Sequence, residues 1–205
     1  VFIFQQITNI HIYDVIIQEN YYGVSVEFEC SDVYIYDNII TRNYQGFENA
    51  PGNYNLEIFN NTISQNDEGL YVYSNDCHVH HNLVVNNTVG IQLYGGKSNV
   101  IIAQNHFQDN TIGIQPLITR ATIQENNFIG NEKHVDLYKA VTVLLLPFVV
   151  YFRQRWLNNF WDDWNSTLPR PIHGEWGLFI IIRYPKLNEI QIASFPYTEY
   201  DWYPA

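Results

Sequence analysis

The 205-residue sequence has no methionine and only two cysteines, Cys30 and Cys77. Without an initiator Met, Val1 is expected to begin a processed or truncated chain, with no signal peptide left to read. Basic residues are scarce: 10 Lys and Arg against 21 Asp and Glu give a net charge of −11. That balance argues against nucleic acid and against an anionic membrane, both of which need basic patches. No run is apolar for long enough to span a bilayer. The longest, Val141 to Phe152, is 12 residues and contains Pro147, whereas a spanning helix takes roughly 20 residues. A buried strand or two is expected there, and no membrane insertion. The dipeptide Asn-Gly never occurs, which removes the best short hairpin signal. Tryptophan is missing from the first 155 residues.

What is present falls into two regimes. Hydrophobic residues make up 46%, so the chain is no disordered acidic tail. Of 24 Asn, 20 lie before residue 139. Residues 1–138 hold 4 basic and 15 acidic side chains, and residues 139–205 hold 6 of each. All five Trp (Trp156, Trp161, Trp164, Trp176, Trp202) fall in the second part.

The first part repeats. Asn-x-x-Gly recurs at Asn20/Gly23, Asn43/Gly46, Asn66/Gly69, Asn87/Gly90 and Asn110/Gly113, and a sixth copy pairs Asn131 with His134. The Asn spacings are 23, 23, 21, 23 and 21. Five residues before each anchor from the second copy on sits another Asn: Asn38, Asn61, Asn82, Asn105, Asn126; in the first copy that place is Val15. Aligned on these anchors, apolar columns appear, such as Ile17, Ile40, Ile63, Val84, Phe107, Phe128 and Ile12, Ile35, Ile58, Val79, Ile102, Ile123. They alternate with polar or aromatic residues at period two, in three short runs per repeat. No Leu-x-x-Leu-x-Leu frame is visible, which sets leucine-rich repeats aside.

The pattern predicts an all-β chain. Its core is a right-handed single-stranded parallel β-helix of about six turns, each turn stacked about 4.8 Å on the next. Residues 1–138 form the repeats; residues 139–205 form the final turn or turns and a Trp-rich C-terminal cap. The Asn columns are expected to sit at corners, to tolerate left-handed backbone there and to bond to the Asn of the next turn. The Gly column is expected to supply positive φ or a tight approach. Cys77 falls in an aliphatic column and Cys30 two turns away, about 9.6 Å along the axis. That is too far for a bridge, which needs Cα atoms within about 7 Å.

Residues 7–138 resemble the parallel β-helix repeat family of NosD-like and carbohydrate-binding/sugar-hydrolase proteins. The resemblance rests on the Asn-x-x-Gly copies and on stretches such as 60–69, Asn-Asn-Thr-Ile-Ser-Gln-Asn-Asp-Glu-Gly. The tail segments 158–164, 169–174 and 201–205 are similar to the ends of archaeal surface β-helix proteins. The resemblance implies export, to the cell surface or beyond, and no single reaction. The NosD name also carries a copper association.

Three readings follow. The first is a non-catalytic scaffold, a surface or fibre subunit that contacts polysaccharide. Its contact face would be the outer side of the strand after the Gly, with Glu27, Glu48, Tyr71, Tyr73, Tyr94 and Tyr138; the competing view is a solvated sheet face with a stabilising Tyr stack. The apolar start, Val1-Phe2-Ile3-Phe4, adds self-association through an open N-terminal end. The second is a polysaccharide lyase or hydrolase, which needs paired carboxylates such as Asp67/Glu68 or Glu27/Glu48. Against it, Arg42, Lys97, Arg120 and Lys133 do not cluster with the acids, so no catalytic residue is assigned. The third is metal handling at His78-x-His80-His81, where His78 and His80 share a face about 7 Å apart. Without a third ligand such as Glu57 this is a surface His pair, so no metal site and no cofactor is expected. Asn60, Asn86 and Asn165 head glycosylation sequons. In the tail, Asp162 and Asp163 are expected to meet indole N–H groups and backbone.

Overall fold

In the computed structural model, the described residues are 1–3, 5–73, 76–94, 99–117, 120–142, 154–166, 168–183 and 187–202. The side chains of 138–142, 174–183 and 187–195 are not among those described. Three parallel sheets wrap a single apolar core. The first contains Phe2–Ile3, Tyr22–Val26, Gln45–Asn49, Glu68–Val72, Val89–Leu93, Ile112–Pro116 and Lys133–Val135. The second runs through Thr8–Tyr13, Ser31–Tyr36, Tyr54–Phe59, Cys77–His80, Val100–Ala103, Ala121–Gln124 and Arg155–Leu157. The third is built from Ile16–Gln18, Ile39–Thr41, Thr62–Ser64, Leu83–Val85, His106–Gln108, Asn127–Ile129 and Phe160–Trp161. Each turn of chain gives one strand to each sheet, which makes the rod a parallel β-helix.

The period-two pattern decides which side chains go inside. Ile40, Ile58, Ile63, Val79, Val84, Ile102, Ile123 and Phe128 are fully buried, and each meets the same column in the turns beside it. Burying one such side chain contributes about 1.5–3 kcal/mol. The columns continue past the sixth repeat. Trp156 lies opposite Ile123 and Trp161 opposite Phe128. The Phe107, Phe128 and Trp161 rings stack at 4.9 and 4.2 Å. Trp156 and Trp161 therefore close the core, whereas Trp202 is exposed, and the Trp176 side chain lies outside those described. Both cysteines are buried free thiols.

The Asn columns form two ladders, and their backbone corrects the sequence expectation. The ladder Asn residues are not left-handed. The residue just before each one is: Asp37, Asn60, His81, Gln104, Glu125 and Asn158 in one column, and Glu19, Arg42, Gln65, Asn86 and Asp109 in the other; Asp14, before Val15, is left-handed as well. The ladder Asn uses its side chain instead. Asn61 Oδ1 accepts from the backbone N–H and Nδ2 of Asn38, while Asn61 Nδ2 donates to Ile35 O, Phe59 O and Asn82 Oδ1. The same set recurs at Asn82, Asn105 and Asn126. A buried amide thus satisfies backbone groups that the corner leaves without a strand partner.

The Gly column is explained by close approach. A Cβ on Gly23, Gly46, Gly69 or Gly90 would lie 2.4–2.5 Å from the carbonyl oxygen of the next Gly. The sixth copy escapes this because the first sheet ends at Lys133–Val135. Among the described residues, no carbonyl of a further strand of that sheet follows His134.

Beyond the rod, Arg170–Arg183 and Leu187–Trp202 form an antiparallel hairpin. It joins the second sheet through Trp156↔Asp201 and Leu157↔Trp202. The Asn38 ladder ends on this hairpin: Asn159 donates its N–H and Nδ2 to Asp201 Oδ2, each at 3.1 Å.

Candidate functional site

On the outer face of the second sheet, aromatic side chains fill one column. Tyr13, Tyr36, Phe59 and His80 stack plane on plane with centroids 5.2, 5.0 and 5.1 Å apart. The parallel register fixes this, since Tyr36 lies opposite Phe59 and Phe59 opposite His80. Beside that column lie His11, Tyr34, Glu57 and His78, in register.

The two columns bring three donors together. Glu57, His78 and His80 are half-buried, and one ligand atom from each lies within 4.8 Å of the other two. His80 Nε2 is 3.1 Å from Glu57 Oε1. The His78 and His80 rings are 4.2 Å apart between centroids, closer than the strand repeat alone suggests. Glu57 supplies the third ligand on which the metal reading depends. Burial, reinforced by the neighbouring His80, holds the His78 imidazole below its ordinary 6.5. Its lone pair is therefore available near neutral pH, as metal ligation requires. His81, at the left-handed corner, places Nδ1 2.8 Å from His80 Nδ1.

A second trio, His134, Asp162 and Asp163, also has donor atoms within 4.8 Å, but its chemistry differs. Asn131 Oδ1 accepts from Asn110, and Asn131 Nδ2 donates to Phe107 O, so the amide cannot turn. Nδ2 then faces His134 Nδ1 at 3.2 Å, and that nitrogen must accept. The ring proton sits on Nε2, which is 2.8 Å from Asp162 Oδ1. A metal on Nε2 would have to displace that proton with no place for it on Nδ1. At His80 the proton can move to Nδ1, because the exposed His81 ring is free to accept. The Glu57 trio therefore fits a metal ion and the His134 trio does not.

The His134 trio serves the cap. Asp163 pairs with Arg170 at 2.7 Å, and the Arg170 guanidinium lies 4.0 Å over the Trp161 ring. Asp162 accepts from Gly130 N–H at 2.6 Å. These groups border a cavity of about 430 Å³. Of the expectation that Asp162 and Asp163 meet indole N–H groups and backbone, the backbone contact holds for Asp162 and the indole part is corrected. The indole of Trp156 donates to Glu199 and that of Trp161 to Asp201. Burial raises the Asp201 carboxyl above its ordinary value, against the hydrogen bonds from Trp161 and Asn159.

On the outer face of the first sheet, Tyr71 and Tyr94 stack at 6.4 Å and Tyr73 meets Tyr94 edge-on at 5.1 Å. Burial, with Tyr94 and Glu68 nearby, pushes the Tyr71 hydroxyl up to about 12. Ser25 Oγ lies 2.5 Å from Glu48 and 3.4 Å from Glu27. Gln92, Gln115 and Asp136 are linked in line. These polar groups already bond to one another along the rod. The Tyr138 side chain lies outside those described. Asn60, Asn86 and Asn165 are exposed, the first two at left-handed corners.

A β-helix rod with stacked Asn ladders and a histidine–carboxylate cluster on one sheet defines the class. Residues 2–144 match the family model described as periplasmic copper-binding protein (NosD), and the chain belongs to that family. No curated protein and no solved structure matches it.

Proposed function

We propose that the protein is an exported β-helix scaffold that carries a divalent transition-metal ion of the copper type at Glu57, His78 and His80. The observation behind this is the convergence of two imidazoles and one carboxylate, within 4.8 Å, on adjacent strands of a rigid sheet. Imidazole and carboxylate suit copper(II) and zinc(II). The net charge of −11 favours cation approach. The family description, periplasmic and copper-binding, supports both the metal and the location. The ion is cargo, and no reaction is assigned to the chain. Titration with copper(II) followed by calorimetry and electron paramagnetic resonance tests this. One ion per chain is expected, with nitrogen couplings. Glu57→Gln and His78→Ala should each weaken binding by about tenfold or more. Equal affinity in both variants would overturn the assignment.

A second reading keeps the rod as a surface or fibre subunit in contact with polysaccharide. The Tyr71, Tyr73 and Tyr94 cluster, with Glu27 and Glu48 on the same sheet, supports it. Exposed Val1, Phe2 and Ile16 on the first turn support contact with a second copy there. Retardation in gels containing acidic or neutral glycans, lost in Tyr71→Ala, tests the contact. Light scattering across a concentration series tests self-association, and turnover of the same glycans would move the chain to the enzyme class.

A further inference from the structure

The donor set at Glu57, His78 and His80 contains two nitrogens and one oxygen. Sulfur is excluded from it on three counts. The sequence has no methionine. Cys77 precedes His78 directly, but strand alternation turns it inward, and it is 2% exposed. Cys30 is also buried. Soft thiolate and thioether ligands select copper(I); imidazole suits copper in either state, and the hard carboxylate oxygen tips a mixed N,O set toward copper(II). The carboxylate matters most. It neutralises charge on a dication and is a poor partner for a soft monocation.

We infer that this site is selective for the oxidised ion, holding copper as Cu(II) and releasing it on one-electron reduction. The inference rests on the metal-binding reading above and deepens it. The electron comes from an external one-electron donor such as ascorbate. Cu(II) becomes Cu(I), the donor is oxidised by one electron, and no covalent bond of the protein changes. Two imidazole bonds and one carboxylate bond to the metal are lost. His80 Nε2 then faces Glu57 Oε1 again at 3.1 Å. Both strands are locked on each side by neighbouring turns. The site therefore has little freedom to open into the linear arrangement that Cu(I) accepts.

The test uses the full chain loaded with copper(II) sulfate. Ascorbate is added under argon, and protein-bound copper is measured by equilibrium dialysis before and after. At least a tenfold loss of affinity on reduction is expected. Undiminished retention of the reduced ion would overturn selectivity while leaving the metal site standing. Failure to bind copper(II) at all would overturn the reading on which selectivity rests. A gain-of-function arm uses His78→Met and, separately, His80→Met, each checked for native circular dichroism. A thioether should let the variant keep copper through reduction. Variants that fold and release copper as the wild type does would refute the ligand-softness argument.

Discussion

Asn82 offers the sharpest test of what holds the rod together. Its Oδ1 accepts from Asn61 N–H and Nδ2, each at 3.0 Å. Its Nδ2 donates to Ile58 O, His80 O and Asn105 Oδ1 at 2.8, 2.9 and 3.0 Å. In Asn82→Ala, Asn61 Nδ2 keeps Ile35 O and Phe59 O as acceptors. The Asn61 backbone N–H, at a residue 1% exposed, loses its bond to Asn82. One orphaned buried donor costs about 1–3 kcal/mol. With the void left by the amide, the total comes to about 2–4 kcal/mol, a large share of the ~5–15 kcal/mol that holds a domain. Urea unfolding should show a lower midpoint at an unchanged slope. The control is Asn60→Ala, one residue before Asn61 and exposed, where only the left-handed backbone is penalised, by about 1–2 kcal/mol. Asn82→Ala combined with Asn105→Ala should be less than additive, because the two share a bond. An Asn82→Ala cost no larger than that of Asn60→Ala would refute the ladder argument.

Three further outcomes are expected. Gly90→Ala puts a Cβ 2.5 Å from Gly113 O and 3.2 Å from Val84. It should cost about 3 kcal/mol by forcing strands apart, which thermal unfolding will show. Burial lowers the pKa of His134 from 6.5, against Asp163 and Asp162 and with Arg170 in the same sense. A depressed folded value means the unfolded chain binds the extra proton first. Its stabilisation is thus full above pH 6.5 and lost as pH falls through the lower folded value. His134→Gln should flatten the stability profile over that acidic range. Cys30 and Cys77 are buried, with the Cys77 thiol raised to about 12. Neither should react with a thiol reagent until urea unfolds the chain, and prompt labelling in native buffer would contradict the packing.

The repeat made the rod legible in the sequence. Ile58, Val79 and Ile102 could be assigned inside because identical environments recur every 21–23 residues. The same columns held the aromatic stack: Tyr13, Tyr36, Phe59 and His80 share one register position, and reading the outward columns as well as the inward ones would have exposed it. Glu57 was visible only as a condition, since which carboxylate reaches a histidine depends on rotamers. The left-handed residues were misplaced by one position. The ladder bonds are strong enough to hold Gln104 and Glu125 at φ 56, a conformation their own preferences oppose. In the tail, Trp156 finds Glu199 and Trp161 finds Asp201 across 43 and 40 residues. No repeat links those positions, so spacing carries no information about them.

The Asn ladders also have a direction. Every side-chain amide from Asn38 to Asn159 donates along the ladder toward the cap and turns its oxygen back toward the first turn. The amide dipoles therefore add along the axis, as peptide dipoles do in a helix, and the rod is electrically polar. Its positive pole meets a carboxylate, Asp201, in one ladder and an accepting ring nitrogen, His134 Nδ1, in the other. These two residues act as terminators that any number of intervening turns would suit equally. Rod length can then change by whole repeats without redesign of either end, and a turn added beyond the cap would first have to replace both terminators with asparagine.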